Sequence, residues 1–130
     1  MIFRAFGLAL LLPTAALAQD CGQASTQAEM TRCAGVELET ADKALNDAWT
    51  PAMERMHAVD EGLEADRRGA AEALRTAQKG WITLRDKGCA AEAWGYAGGS
   101  MQPMVEAQCR TRVTEARTAE LRDLARAPDE

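Results

Sequence analysis

The sequence predicts an all-α protein, a small three-helix bundle stapled by two disulfides. Three observations lead to this fold class. Apolar residues recur at spacings of three and four in three separate stretches, which is the period of an amphipathic helix. No stretch alternates apolar and polar residues with the period of a strand. The chain also carries four cysteines, and disulfides help a domain whose hydrophobic core is small.

The first 18 residues resemble a secretory signal peptide. Arg4 supplies the positive start, residues 8–12 form the apolar middle, and residues 16–18 form the small-x-small cleavage site. The apolar run is too short to cross a bilayer. We therefore expect residues 1–18 to be removed and residues 19–130 to form one exported domain, either periplasmic or secreted.

The residue before the first cysteine argues against a membrane anchor. A lipoprotein signal needs a small residue at this place, whereas Asp20 precedes Cys21. Removal of the signal peptide takes away Arg4, so the net charge of −5 becomes −6. This acidity excludes a generic nucleic-acid surface. It favours encounter with a basic partner, although solubility alone also accounts for it.

The cysteines are expected to form two disulfides, because they are even in number and the chain is exported. No two of them have the Cys-x-x-Cys spacing, so zinc, haem attachment and thiol redox chemistry have no support. Four cysteines allow three pairings. We expect Cys21 to pair with Cys33 and Cys89 with Cys109, because each bond closes a short local loop.

The first helix begins at a capping box, in which Thr26 and Glu29 satisfy free backbone amides. Pro51 removes the hydrogen bond to the Asp47 carbonyl, so we expect a kink or a break near Thr50. The apolar face of this helix is expected to contain Leu38, Ala41, Leu45, Ala48, Trp49, Ala52 and Met56.

Two further helices follow a polar turn over residues 60–69. The second helix is expected to run from Ala70 to near Gly95 on an apolar face of Ala70, Leu74, Ala77, Trp81 and Leu84. A glycine-rich loop over residues 94–100 follows. The third helix is expected to start between Ser100 and Pro103 and to place Val105, Cys109, Val113, Arg117, Leu121 and Leu124 on one face. The tail from Pro128 is expected to fray.

Each helix carries a charged residue on its apolar face, namely Asp42, Arg85 and Arg117. A buried charge without a partner would cost several kcal/mol, so we expect Asp42 to pair with Arg85, Arg117 or both. We interpret the network as a structural device that fixes the register of the helices rather than as a ligand pocket. Its predicted members are Asp42, Asn46, Gln78, Arg85, Asp86, Thr114 and Arg117.

The order of these residues resembles an exported bacterial family named after the lysozyme inhibitor LprI, specifically its N-terminal domain. The resemblance covers nearly the whole mature chain. It rests on the motifs Asp42-x-x-Leu45-Asn46, Trp81-x-x-x-Arg85-Asp86-x-x-Cys89 and Thr114-x-x-Arg117. It implies a proteinaceous inhibitor of lysozyme, and the missing lipoprotein signal implies that this member is not lipid-anchored.

A contact site for such a partner is expected over residues 94–102, held by the Cys89–Cys109 bond. Trp94 and Tyr96 would serve as anchors and Ser100 as a hydrogen-bond donor. The same aromatic residues could instead cover the open end of the bundle. A helical interaction module with another partner, without lysozyme inhibition, is the alternative function.

Other classes of function have little support in the sequence. Copper binding would need Met53, Met56, His57, Met101 and Met104 to converge, but methionines at helical spacing are typical of core packing. The single histidine has no nucleophile at a readable spacing, and the cysteines are expected to be oxidised. We therefore predict no enzyme, no cofactor and no metal site.

Overall fold

The computed structural model describes residues 21–126, which form three long helices. Helix α1 spans Gln27–Glu61, α2 spans Ala70–Ala93 and α3 spans Gln102–Ala125. Three short 3-10 turns occur at Cys21–Gln23, Ala65–Arg67 and Trp94–Tyr96. Over this range the chain contains no strand, and the predicted all-α bundle is confirmed. The predicted signal peptide and the tail from Pro128 lie outside the described residues.

Helix α1 begins at the predicted capping box. The Glu29 N–H donates to the Thr26 hydroxyl at 3.2 Å, and the Glu29 carboxylate accepts from the Thr26 N–H at 3.0 Å. The Thr26 and Ser25 backbone N–H groups lower the pKa of Glu29 from its ordinary 4.5 to about 2. The carboxylate therefore stays ionised at the positive end of the helix.

Helix α1 continues through Pro51 as one element, so of the kink or break expected near Thr50 the break does not occur. The ring of Pro51 is exposed to solvent, and only one backbone hydrogen bond is lost. Buried residues on both sides, Ala48 and Ala52, belong to the same core cluster. Their packing holds the two halves of the helix in one continuous element.

The core is built mostly from small side chains. It contains Leu45, Ala48, Ala52, Met53, Ala71, Leu74 and Leu121, with Trp49, Met56 and Trp81 packed around it. Alanines let helix backbones approach closely, and α1 packs far more extensively on α3 than on α2. A groove remains between α1 and α2.

The buried face of α2 differs from the predicted one. Leu84 is 72% exposed and Ala77 is exposed as well, whereas Cys89 is buried. The Cys89 disulfide and the inward Arg85 fix the rotation of the helix, and this face leaves Leu84 on the solvent side. The buried residues of α2 are Ala71, Leu74, Cys89 and Ala93.

The buried face of α3 contains two threonines that the periodicity of apolar residues does not reveal. Thr114 and Thr118 are buried, while the predicted Leu124 is 40% exposed. The Thr118 hydroxyl donates to the Thr114 carbonyl at 2.8 Å. A hydroxyl that is satisfied by its own helix can be buried without a large cost.

An acidic residue at the end of α1 caps the start of α2. Asp60 accepts hydrogen bonds from the N–H groups of Gly69 and Ala70, each at 2.8 Å, and of Ala71 at 3.1 Å. These three bonds lower the pKa of Asp60 below its ordinary 3.8. Asp60, which the sequence assigns only to a polar turn, thus joins two helices.

Both predicted disulfides are confirmed. Cys21 bonds to Cys33 with a Cα–Cα distance of 5.6 Å, and Cys89 bonds to Cys109 at 5.4 Å. The first bond ties the amino-terminal turn to α1, and the second joins the end of α2 to α3. Between residues 21 and 126 no helix is long and apolar enough to cross a membrane.

Candidate functional site

A charged cluster centred on Arg85 joins all three helices. The Arg85 Nη1 donates to Asp42 Oδ1 of α1 at 2.9 Å and to the Thr114 hydroxyl of α3 at 3.1 Å. Its Nε donates to Asp86 Oδ1 at 2.9 Å, and its guanidinium carbon lies 5.0 Å from the centre of the Trp81 ring. The side chain is only 12% exposed, so these contacts occur largely away from water.

Arg117 forms a separate group rather than a second partner for Asp42. Its Nε donates to Gln78 Oε1 at 3.0 Å, and its Nη1 donates to Glu120 at 2.8 Å. Asn46 is exposed, and its side chain has no hydrogen bond within residues 21–126. The expected single network is therefore two adjacent groups, and Asn46 belongs to neither.

Two charged residues near the Arg85 cluster, Glu106 and Arg110, are not predicted from the sequence. Arg110 lies 3.7 Å from Asp86 Oδ1 and pairs with Glu106 at 2.8 Å. Both are on α3, one turn apart, in a stretch rich in charged residues. Their i to i+4 spacing was a visible signal, but nothing in the sequence placed them beside α2.

Residues 94–102 form a tight exposed connection between α2 and α3. The side chain of Trp94 is 68% exposed and that of Tyr96 is 45% exposed, and Ser100 is also exposed. Trp94 is therefore mostly open to solvent, and Tyr96 exposes about half of its surface. Two large aromatic surfaces face solvent within three residues.

Backbone hydrogen bonds and a glycine constrain this connection. The Ala97 N–H donates to the Trp94 carbonyl at 3.1 Å, and the Gly99 N–H donates to the Tyr96 carbonyl at 2.9 Å. The Gly98 N–H donates to the Gln102 side chain at 3.2 Å. Gly98 has a φ of 76°, a backbone conformation that favours glycine. These contacts define the backbone conformation of the segment in the absence of a partner.

A disulfide and a salt bridge lie at the base of this connection. Cys89 and Cys109 join the flanking helices, and Arg112 binds both carboxylate oxygens of Glu92 at 3.2 and 2.9 Å. Both contacts come from Arg112 Nη2 and the pair is exposed, so it adds little to the disulfide that joins the end of α2 to α3. Trp94 and Tyr96 thus lie between two helices that a disulfide joins.

The family model described as "Lysozyme inhibitor LprI" matches residues 18–121. The chain belongs to this family. The chain is also similar to an uncharacterized protein of Rhizobium meliloti (strain 1021). It is 38% identical over 108 residues, which cover 81% of this chain and 78% of the relative. No solved structure matches the chain at a significant level.

The motifs that resemble the LprI family meet at one point of the fold. Asp42 comes from the first motif, Arg85 from the second and Thr114 from the third, and the Arg85 guanidinium binds the other two. This arrangement explains why residues so far apart in the chain occur together in the sequence pattern. It is a contact of helices and contains no catalytic grouping.

The methionines and the histidine considered for copper do not converge. The Met104 sulfur accepts a hydrogen bond from Gln27 at the start of α1. Met56 packs on the core near the other end of α1, about 45 Å away along a helix that rises about 1.5 Å per residue. Residues 21–126 contain no group of three or more histidine, cysteine or acidic side chains that could hold a metal ion.

Proposed function

We propose that this protein is an exported inhibitor of a basic lysozyme and that it binds the enzyme through residues 94–102. Membership of the LprI family supports lysozyme as the partner. The observation that carries the site is the exposure of Trp94 and Tyr96 on a constrained segment. Exposed aromatic side chains of this kind are the commonest anchors of protein interfaces.

Preorganisation of the segment supports tight binding. Ordering a flexible loop on binding costs about 0.5–1.5 kcal/mol for each mobile side chain that becomes fixed. Here the backbone bonds around Gly98 and the Cys89–Cys109 bond have already restricted the segment. Most of the binding energy of the aromatic anchors would therefore appear as affinity.

Charge supports the choice of a basic partner. The chain carries a net charge of −5, and loss of the signal peptide makes it −6. Opposite net charges accelerate the encounter of two proteins, and salt weakens this effect. Next to the segment, Glu92 is neutralised by Arg112, so the attraction comes from the whole surface rather than from a single contact.

The chemistry of lysozyme suggests how a segment of this kind would inhibit. The enzyme cleaves glycans in a cleft between two carboxyl groups. Side chains of Trp94 and Tyr96 that enter the cleft would displace the glycan. The hydroxyl groups of Tyr96 and Ser100 are donors of the kind that carboxyl groups accept.

The test replaces Trp94, Tyr96 and Ser100 together with alanine. We expect inhibition to weaken at least about 100-fold, since two anchors of about 2 kcal/mol each are removed. The matched control replaces Val36 and Leu84, which are 50% and 72% exposed but lie outside the segment. Inhibition unchanged by the triple replacement, with the fold intact, would refute the site. A folded protein that inhibits no lysozyme would leave the helical interaction module as the function.

A further inference from the structure

The groove between α1 and α2 is a second candidate site, and it shares no residue with the segment 94–102. It has a volume of about 350 Å³, within the range of about 300–1,000 Å³ that is usual for small-molecule sites. Its walls carry two tryptophans, Trp49 and Trp81, and polar groups from both helices, including Asn46 and Gln78. Both indole rings are partly buried.

The charges in the groove cancel. Arg85 is bound to Asp42 and Asp86, each at 2.9 Å, so its charge is not available to a phosphate or a carboxylate. A cationic ligand is disfavoured as well, because the Arg85 guanidinium already lies over the Trp81 ring and would repel a second cation there. The groove therefore suits a neutral ligand.

Free hydrogen-bonding groups line the same groove. The Asn46 amide has no partner within residues 21–126. Gln78 uses its carbonyl oxygen to accept from Arg117, which leaves its NH₂ group as a donor. Asp42 uses Oδ1 for Arg85, which leaves Oδ2 as an acceptor. Amide donors and acceptors thus stand beside two aromatic surfaces.

We propose that this groove binds an N-acetylated saccharide. Sugar rings have apolar C–H faces that pack on indole and hydroxyl groups that bond to amides and carboxylates. An acetamido group offers one acceptor and one donor, which the Gln78 NH₂ and the Asn46 or Asp42 oxygens complement. The proposal does not depend on lysozyme inhibition, because the site and its ligand class follow from the groove alone.

The test follows the indole N–H signals by NMR while the mature protein is titrated with chitotriose. The Trp49 and Trp81 signals should shift and the Trp94 signal should not. Cellotriose, which has the same ring shape without acetamido groups, should bind at least about tenfold more weakly. Choline and inorganic phosphate should leave both indoles unchanged.

Variants keep the test independent of folding. Asn46 is exposed and its side chain makes no hydrogen bond within the described residues, so Asn46→Ala should fold normally and weaken chitotriose binding about three- to tenfold. Trp49 also packs against the core, so Trp49→Leu, which should weaken binding about tenfold or more, is compared only after circular dichroism shows an intact fold, whereas Trp94→Ala should not change binding. Three results would overturn the proposal: no shift at millimolar chitotriose, equal binding of cellotriose, or unchanged affinity of Asn46→Ala.

Discussion

Replacing Arg85 with alanine should lower the free energy of unfolding by about 1.5–4 kcal/mol. The Thr114 hydroxyl is completely buried and would lose its donor, which costs about 1–3 kcal/mol. Loss of the contact with Trp81 adds about 0.5–1 kcal/mol. Asp42 and Asp86 would add little, because they are 43% and 37% exposed and water can hydrate them.

Urea denaturation followed by circular dichroism measures this loss directly. The matched control is Arg112→Ala, which removes an arginine of 62% exposure from its ion pair with Glu92 and should cost less than about 1 kcal/mol. Asp42→Ala should cost about 1 kcal/mol, since Arg85 keeps Asp86 and Thr114 as partners. An Arg85→Ala loss no larger than that of the control would refute the assignment of Arg85 as the centre of the bundle.

Three further predictions concern the scaffold. Replacing Cys89 and Cys109 with serine should cost about 3 kcal/mol, as expected for a 20-residue separation, in urea denaturation; an unchanged midpoint would contradict it. The pKa values of Glu29 and Asp60 are lowered on folding, so the stability that each carboxylate contributes should be complete above its ordinary pKa, 4.5 for Glu29 and 3.8 for Asp60, and should be lost as the pH falls through the lowered pKa, which is about 2 for Glu29. In melting curves, Asp60→Ala should melt lower at pH 7 and show a smaller acid loss. Pro51→Ala should gain about 1–3 kcal/mol by restoring a helical hydrogen bond, and a loss would mean that the proline is needed.

The helices could be predicted because their signals are local. The capping box at Thr26, the start of α3 near Pro103 and the two short-range disulfides depend on residues close together in the chain. The pairing of Arg85 with Asp42 was also predictable, since a charge on an apolar face needs a partner.

Other features could not be read from the sequence because tertiary contacts determine them. The rotation of α2 that exposes Leu84 follows from the direction of Arg85 and Cys89, and the burial of Thr114 depends on a donor from another helix. The three backbone bonds of Asp60 require α2 to start beside the end of α1. A polar residue in a turn gives no sign of such a role.

The most direct test of the proposed function is an activity assay with a panel of basic lysozymes on peptidoglycan. Mature protein, residues 19–130, should inhibit at least one of them, and added salt should weaken the inhibition. The variant lacking the Trp94, Tyr96 and Ser100 side chains should fold and not inhibit. If the wild-type protein leaves every lysozyme in the panel fully active, or if the variant inhibits as well as the wild type, the account of residues 94–102 as an inhibitory segment is contradicted.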